Sequence, residues 1–308
     1  MLRRISLNDL PMNSEIDILS GLITQSWHQG KKKDYPNIRD LHELLALKEV
    51  REQTIIWLDD ACEAKAFCIL DPYNNLLFEC ADFKNYFSLF NAAVIFCKRI
   101  IKDKNSRRED QLTLDVCCWG DDQLRIECLK NEGFRRESIE SMYFKRSLRD
   151  VPQRTSLPPG FFIRPLNGEK EIKAYVELHQ KAFGTNQMTI EFRRSIMTSP
   201  EYDPLLDLVV QDSEGHLAAF CVCQIDESEN EMNGEKSGLT DPIGVHPDFR
   251  NRGLAKALLN EGFVLLKLRG MDFAMLGTSS DNLAMINLAK SAGFWETDRK
   301  LWFSREVI

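Results

Sequence analysis

The chain has no apolar run near the roughly 20 residues that a membrane-spanning helix requires. Its start, Met1-Leu2-Arg3-Arg4-Ile5, passes straight into the polar Ser6, Asn8 and Asp9 rather than into the apolar core of a secretory leader. The expectation is a cytoplasmic protein with no membrane partner. An excess of positive charge is lacking too: 40 Lys and Arg stand against 47 Asp and Glu, a formal net charge of -7. Polyanion binding needs clustered basic side chains, so no nucleic acid is expected as a partner, and the one basic run, Lys31 to Lys33, reads as a solvated loop. The nine cysteines are an odd number and contain no C-x-x-C spacing. That argues against a disulfide framework and a structural zinc site, and no metal is expected. Free cysteine packs as a small apolar group; Cys221 and Cys223 would share one strand face, and Cys117 and Cys118 would point oppositely. With 16 Gly, 11 Pro and no low-complexity tract, disorder is not the default.

At 308 residues the chain suits two domains of about 150 residues each. A weak internal repeat supports two. The segment from Asp121 and Asp122 to Gly133-Phe134 lies 160 positions before that from Asp281 and Asn282 to Gly293-Phe294, each an acidic or amide cap, a helix and a terminating Gly-Phe. Tyr143-Phe144-Lys145-Arg146 answers Trp302-Phe303-Ser304-Arg305, and Ala66-Phe67-Cys68-Ile69 answers Ala219-Phe220-Cys221-Val222. Between the copies, residues 151–160 carry Pro152, Pro158, Pro159 and Gly160, a composition suited to a linker. The expected domains are therefore 1–150 and 161–308.

In the second copy, patterning predicts a strand over 161–165, helices near 169–183 and 189–197, and a strand hairpin of 206–211 with 217–225. A third strand follows near 238–245, then a helix over 252–269 with Leu254, Ala257, Leu258, Leu265 and Leu268 at helical spacing, a strand over 273–277, a helix after Asp281 and two last strands after Phe294. The first copy predicts helices near 14–27 and 38–47, strands over 54–58 and 64–70, and a long helix with Tyr86, Leu89, Phe90, Ala93, Cys97 and Ile100 on one face. This is an α/β (α+β) pattern, two domains each with a twisted, mostly antiparallel mixed sheet flanked by helices.

The stretch that carries chemistry is Ile243-Gly244-Val245-His246-Pro247-Asp248-Phe249-Arg250-Asn251-Arg252-Gly253-Leu254-Ala255-Lys256. A strand enters a loop rich in basic residues and Gly, and a helix leaves it. Converging backbone N–H groups and the positive end of the helix dipole make such a loop a seat for phosphate oxygens. Gly253 and Ala255 keep side chains clear, and Arg250 and Arg252 add charge.

This stretch resembles the acetyl-CoA signature of the GNAT superfamily, V-x-P-x-x-R-x-x-G-x-[GA], and Asp281-Asn282 through Leu288 to Gly293-Phe294 resembles its second signature at the expected distance. The repeat adds a resemblance to the tandem GNAT organisation of the mycothiol-synthase type. The resemblance implies acetyl-CoA as cosubstrate and a V-shaped opening between the third strand and the strand at 273–277. The pantetheine arm would pair with the backbone of Ile243, Gly244 and Val245, and the pyrophosphate would sit on the amides of Asn251, Arg252, Gly253, Leu254, Ala255 and Lys256, with Arg250 adding charge to the cofactor site. Asn282 reads either as a contact to the cofactor arm or as a helix N-cap. In the implied reaction a primary amine attacks the thioester directly. The Val245 N–H would stabilise the oxyanion, and Asp241 is the candidate base, with a surface-turn role as the alternative. His246 reads as structural or cofactor-adjacent. Leu288-Ala289 departs from the family's Leu-Tyr, removing the usual acid for the leaving thiolate and pointing to Ser279, Ser280 or water. The first copy, with Glu79-Cys80-Ala81-Asp82-Phe83-Lys84-Asn85-Tyr86 in place of the loop, reads as a degenerate copy. A catalytically silent acyl-CoA sensor and an interaction protein remain the other readings; nothing in the sequence identifies the acceptor or the oligomeric state.

Overall fold

The computed structural model describes residues 2–10, 15–28, 36–152 and 156–307. The basic run Lys31 to Lys33 and part of the expected linker lie outside the described residues. The chain forms two compact units, Met1–Glu140 with Arg299–Ile308, and Ser141–Asp298. The expected cut at 151–160 follows the sequence repeat, whereas these units assign 141–150 to the second and 299–308 to the first.

The first half of the chain runs β1 (Arg3–Ser6), α1 (Glu15–His28), α2 (Ile38–Leu45), α3 (Lys48–Glu52), β2 (Thr54–Leu58), β3 (Ala64–Leu70), β4 (Leu76–Cys80), α4 (Tyr86–Asn105), β5 (Thr113–Trp119), α5 (Gln123–Asn131) and β6 (Arg135–Ser147). The second runs β7 (Phe161–Pro165), α6 (Ile172–Phe183), α7 (Ile190–Thr198), β8 (Asp207–Asp212), β9 (Leu217–Val222), α8 (Glu227–Asn233), β10 (Ser237–Leu239), β11 (Ile243–Val245), α9 (Leu254–Leu268), β12 (Phe273–Ser279), α10 (Leu283–Ser291) and β13 (Trp295–Glu306). Four departures from patterning stand out. The third strand of the second copy is broken into β10 and β11, the last two strands are one, the predicted helix over 38–47 ends at Leu45, and neither α3 nor α8 was expected.

Local chemistry explains the boundaries. Asn37 and Asp40 close a reciprocal capping box at the start of α2, with bonds of 2.8 and 3.0 Å. One face of α4 buries Leu89, Phe90, Ala93, Val94, Cys97 and Ile101, with Val94 and Ile101 added to the expected stripe. Every residue of β9 is buried, and the core around Phe144, Leu258 and Phe263 lies on one side of the second unit's sheet. A smaller cluster around Tyr175, Leu178 and Phe220 lies on the other. All nine cysteines are free thiols; Cys221 and Cys223 are side by side with sulfurs 3.8 Å apart, and Cys118 is buried while Cys117 is partly exposed.

Each unit is completed by a strand from the opposite half of the sequence. In the first, β1, β2, β3 and β4 form an antiparallel sheet, and residues 300–306 of β13 pair with β5, burying Phe303 and Val307. In the second, β7, β8, β9 and β11 form an antiparallel sheet. There β10 pairs in parallel with β12, and residues 141–147 of β6 pair with β12, burying Met142 and Phe144. The repeated arginines then fall into matching roles. Arg305 donates to the Glu132 carbonyl just past α5, and Arg146 to the Ala292 carbonyl just past α10. Each places a cation at a helix C-terminus, where the unpaired carbonyls and the dipole favour it.

Candidate functional site

The break between β10 and β11 creates the site. β10 follows β12 in parallel through Leu239 opposite Met275, and Thr240 N–H extends the pairing to the Met275 carbonyl at 2.9 Å. Beyond it come Asp241 and Pro242, joined by a cis peptide, after which β11 pairs with β9. The Gly277 N–H of β12 donates to Asp241 Oδ2 at 3.2 Å rather than to a strand carbonyl. From here β11 and β12 diverge.

The hydrogen-bond phase of β11 decides what faces the opening. Val222 N–H donates to the Pro242 carbonyl at 3.0 Å and His246 N–H to the Ala218 carbonyl at 2.9 Å. Residues 242, 244 and 246 therefore face β9, and alternation turns the peptide groups of Ile243 and Val245 toward the opening. Gly244 sits where a Cβ would stand 2.6 Å from the Phe220 ring and 3.0 Å from Ala182 Cβ, so close packing of α6 and β9 against β11 requires glycine.

Past β11 the chain turns sharply. His246 Nδ1 accepts from Asp248 N–H at 3.2 Å, capping the turn at 247–249 as expected of a structural residue. Arg250 donates to the carbonyls of Ala182 at 2.9 Å and Val245 at 3.4 Å. Arg252 donates to the Asp248 carbonyl at 3.1 Å and lies 5.3 Å from the centre of the Phe249 ring. Both guanidinium groups thus hold the loop's shape while leaving their charge beside it. Asn251 and Gly253 are left-handed, with φ of 61° and 78°. Gly253 is the N-cap of α9, among the described residues no side chain caps the first turn, and the space beside Gly253 is open for 4 Å. The amides of Leu254, Ala255 and Lys256 thereby remain available to an anion.

Asp241 is partly buried at the vertex of the opening. Asn282 is the N-cap of α10, accepting from Met285 N–H at 3.1 Å, so one of its two expected roles is visible. Ser279 Oγ donates to Asp281 Oδ1 at 2.5 Å. Ala289 is fully buried in the core. Tyr143 was missed: sequence reading placed it only in the repeat, but strand exchange sets it opposite Gly277 in the pairing of β6 with β12.

The first unit has a matching strand edge, and protein occupies it. Strand register aligns the two: Ala66 opposes Cys80 and Cys68 opposes Phe78 in one, Ala219 opposes Val245 and Cys221 opposes Ile243 in the other. Phe78 is thus the counterpart of Ile243, and the buried Glu79 that of Gly244. Arg125, buried, donates to the Phe78 carbonyl at 2.7 Å and to the Tyr86 hydroxyl at 3.3 Å. Its counterpart is Met285, the third residue of α10 as Arg125 is of α5, each with its N–H bonded to the N-cap side chain. Met285 has no donor to offer Ile243.

The model of the Acetyltransferase (GNAT) family matches residues 172–294. The chain is 32% identical over 124 residues to a mycothiol acetyltransferase of Clavibacter michiganensis subsp. michiganensis, covering 39% of this chain and 38% of that protein. It is 25% identical over 190 residues to the mycothiol acetyltransferase of Thermobispora bispora, covering 59% and 64%. The matches thus span less than two thirds of these relatives. Among solved structures, a tandem GNAT protein from the clavulanic acid biosynthesis pathway superposes with a TM-score of 0.70 at 14% identity, covering 100% of this chain and 99% of that one. A GCN5-related N-acetyltransferase from Sphaerobacter thermophilus gives 0.67 at 19% identity, covering 100% and 95%. At these identities the structural matches show a shared fold across the full chain. Among the described residues, no helix is long and apolar enough to cross a membrane.

Proposed function

From the premise that residues 172–294 form a domain of the acetyltransferase (GNAT) family, we propose that this chain is an acetyl-CoA-dependent N-acetyltransferase acting on a primary amine. The observation that carries the reading is one continuous path in the second unit. The outward peptide groups of Ile243 and Val245 lead to the uncapped first turn of α9 at Gly253. Ile243, Gly244 and Val245 hold the pantetheine arm, and Asn251, Gly253, Leu254, Ala255 and Lys256 hold the pyrophosphate, with the charges of Arg250 and Arg252 alongside. The Val245 N–H, directed into the opening, stabilises negative charge developing on the thioester oxygen. Asp241 takes the proton of the incoming ammonium, because an alkylamine with a pKa of roughly 10 is almost wholly protonated at neutral pH. A thiol with a pKa near 8.5 leaves without a dedicated acid, in keeping with the buried Ala289 where the family has tyrosine. The first unit, with Arg125 on the Phe78 carbonyl, binds no acyl-CoA.

Thermal shift with acetyl-CoA tests this. At a hundredfold excess over the dissociation constant, the wild type gains about 2.7 kcal/mol. Gly253→Glu, which adds bulk and negative charge at the loop, gains nothing while remaining folded. A wild type that does not shift sinks the proposal. The buried Ala289 favours one second reading, an acyl-CoA-binding protein without turnover; a shift with acetyl-CoA but no CoA release across a panel of primary amines would select it.

A further inference from the structure

On β12, Ala274 and Leu276 pack into the core with Phe263 and Leu266 of α9, so the pleat turns Met275 and Gly277 to the opposite face. On β6, Met142 and Phe144 enter the same core, which puts Tyr143 on that opposite face, directly across from Gly277. Lys145 follows the same alternation and lies 4.1 Å over the Phe273 ring. Asp241 leans in from the other side of β12. The point where a Gly277 Cβ would stand is 3.3 Å from Asp241 Oδ2, and 3.7 and 3.9 Å from Cε1 and Cδ1 of Tyr143. With no side chain at Gly277 between them, the Asp241 carboxylate and the Tyr143 ring therefore lie close together on one face of β12. Asp241, Gly277 and Tyr143 are all partly exposed.

A carboxylate and an aromatic ring flanking one small space suit an alkylammonium: the carboxylate supplies the counter-charge, and the ring attracts the cation without needing a hydrogen bond. We propose that Tyr143 is an acceptor-binding residue, and that its ring and the Asp241 carboxylate receive the acceptor as its ammonium ion. The acceptor is then a cationic primary amine, and the site in the second unit is completed by a residue from the first half of the sequence. Between these two groups an ammonium N–H proton passes to Asp241, the freed nitrogen lone pair attacks the thioester carbonyl carbon, and the C–S bond breaks to release the CoA thiolate. This assignment rests on the acetyltransferase reading for the identity of its natural cation.

The test uses the full chain without acetyl-CoA and hexylammonium, a primary ammonium that cannot be acylated in the absence of the donor, titrated by calorimetry beside 1-hexanol as the neutral control. The wild type is expected to bind the cation in preference to the alcohol. Tyr143→Phe keeps the ring and binds within about twofold, whereas Tyr143→Ile, whose β-branched side chain suits a strand, binds about tenfold more weakly. Gly277→Ala leaves Tyr143 in place and sets a methyl between it and the Asp241 carboxylate, so it also weakens binding about tenfold, and it decides the matter if the Ile variant fails to fold. A wild type that does not bind the cation at millimolar concentration, or variants that bind it unchanged, would overturn the proposal. Acetyl-CoA binding is measured separately: its failure in the wild type removes the acetyltransferase reading, and the cation result still reports on Tyr143.

Discussion

Transplanting the first unit's closure into the second is a direct test of why only one strand edge would accept an acyl-CoA. Met285→Arg places a guanidinium at the third position of α10, where Asn282 caps the helix as Asp122 caps α5. By register the Ile243 carbonyl corresponds to the Phe78 carbonyl, on which Arg125 rests at 2.7 Å. A hydrogen bond from a charged donor contributes about 1.5–3 kcal/mol. A ligand that must displace it from the outward edge of β11 loses affinity by that amount, about 10- to 150-fold at 1.4 kcal/mol per factor of ten. Calorimetric titration with acetyl-CoA should therefore show a weaker dissociation constant in that range, with a melting temperature at or above the wild type's in the absence of ligand. An unchanged acetyl-CoA affinity in the folded variant would refute both the alignment of the two strand edges and the place given to the pantetheine arm.

Two further outcomes concern the packing beside the site. His179 is buried against Phe220 and Phe183, and burial first, with the Arg193 charge second, pushes its imidazole down to about 4 from an ordinary 6.5. Above pH 6.5 the ring is neutral both folded and unfolded. As pH falls from 6.5 to 4 only the unfolded chain takes the proton, so stability drops by about 3 kcal/mol in total. Chemical denaturation across that range should show His179→Phe losing less than the wild type, and parallel curves would contradict it. The second outcome involves Arg193 and Asp207, an ion pair with both side chains buried; the Tyr202 hydroxyl donates to Asp207 at 2.5 Å, and the Tyr175 ring lies 3.8 Å from the guanidinium. Arg193→Met strands the carboxylate and should cost about 3–5 kcal/mol at neutral pH. Burial already raises the Asp207 pKa, and losing Arg193 raises it further. The deficit against the wild type should then shrink as acidification neutralises the carboxylate; a deficit that is constant between pH 7.5 and 5 would count against this account.

Much of the site was legible because its parts are local. Gly253 and the residues around it declare a left-handed turn into a helix through residue type and spacing alone, and Asn282 was legible as a helix cap because capping is decided within four residues. The strands and helices of the second copy appeared at their expected places wherever a period of 2 or 3.6 ran uninterrupted. The third strand read as continuous, since nothing in its apolar pattern shows that Asp241 takes the Gly277 N–H and ends the pairing with β12. For α8, the polar run Glu227–Asn233 carries no apolar stripe to announce a helix.

What the sequence alone determined is a twofold repeat, an α/β layer pattern and one Gly- and Arg-bearing turn into a helix, all properties of short segments. Only the tertiary structure decided that β6 and β13 each finish the unit begun by the other half. Those strands carry nearly the same pattern, Tyr143 to Arg146 matching Trp302 to Arg305, so their own residues fit either sheet, and the choice lies in which core and which helix end the completed chain brings within reach. That choice places Tyr143 opposite Gly277.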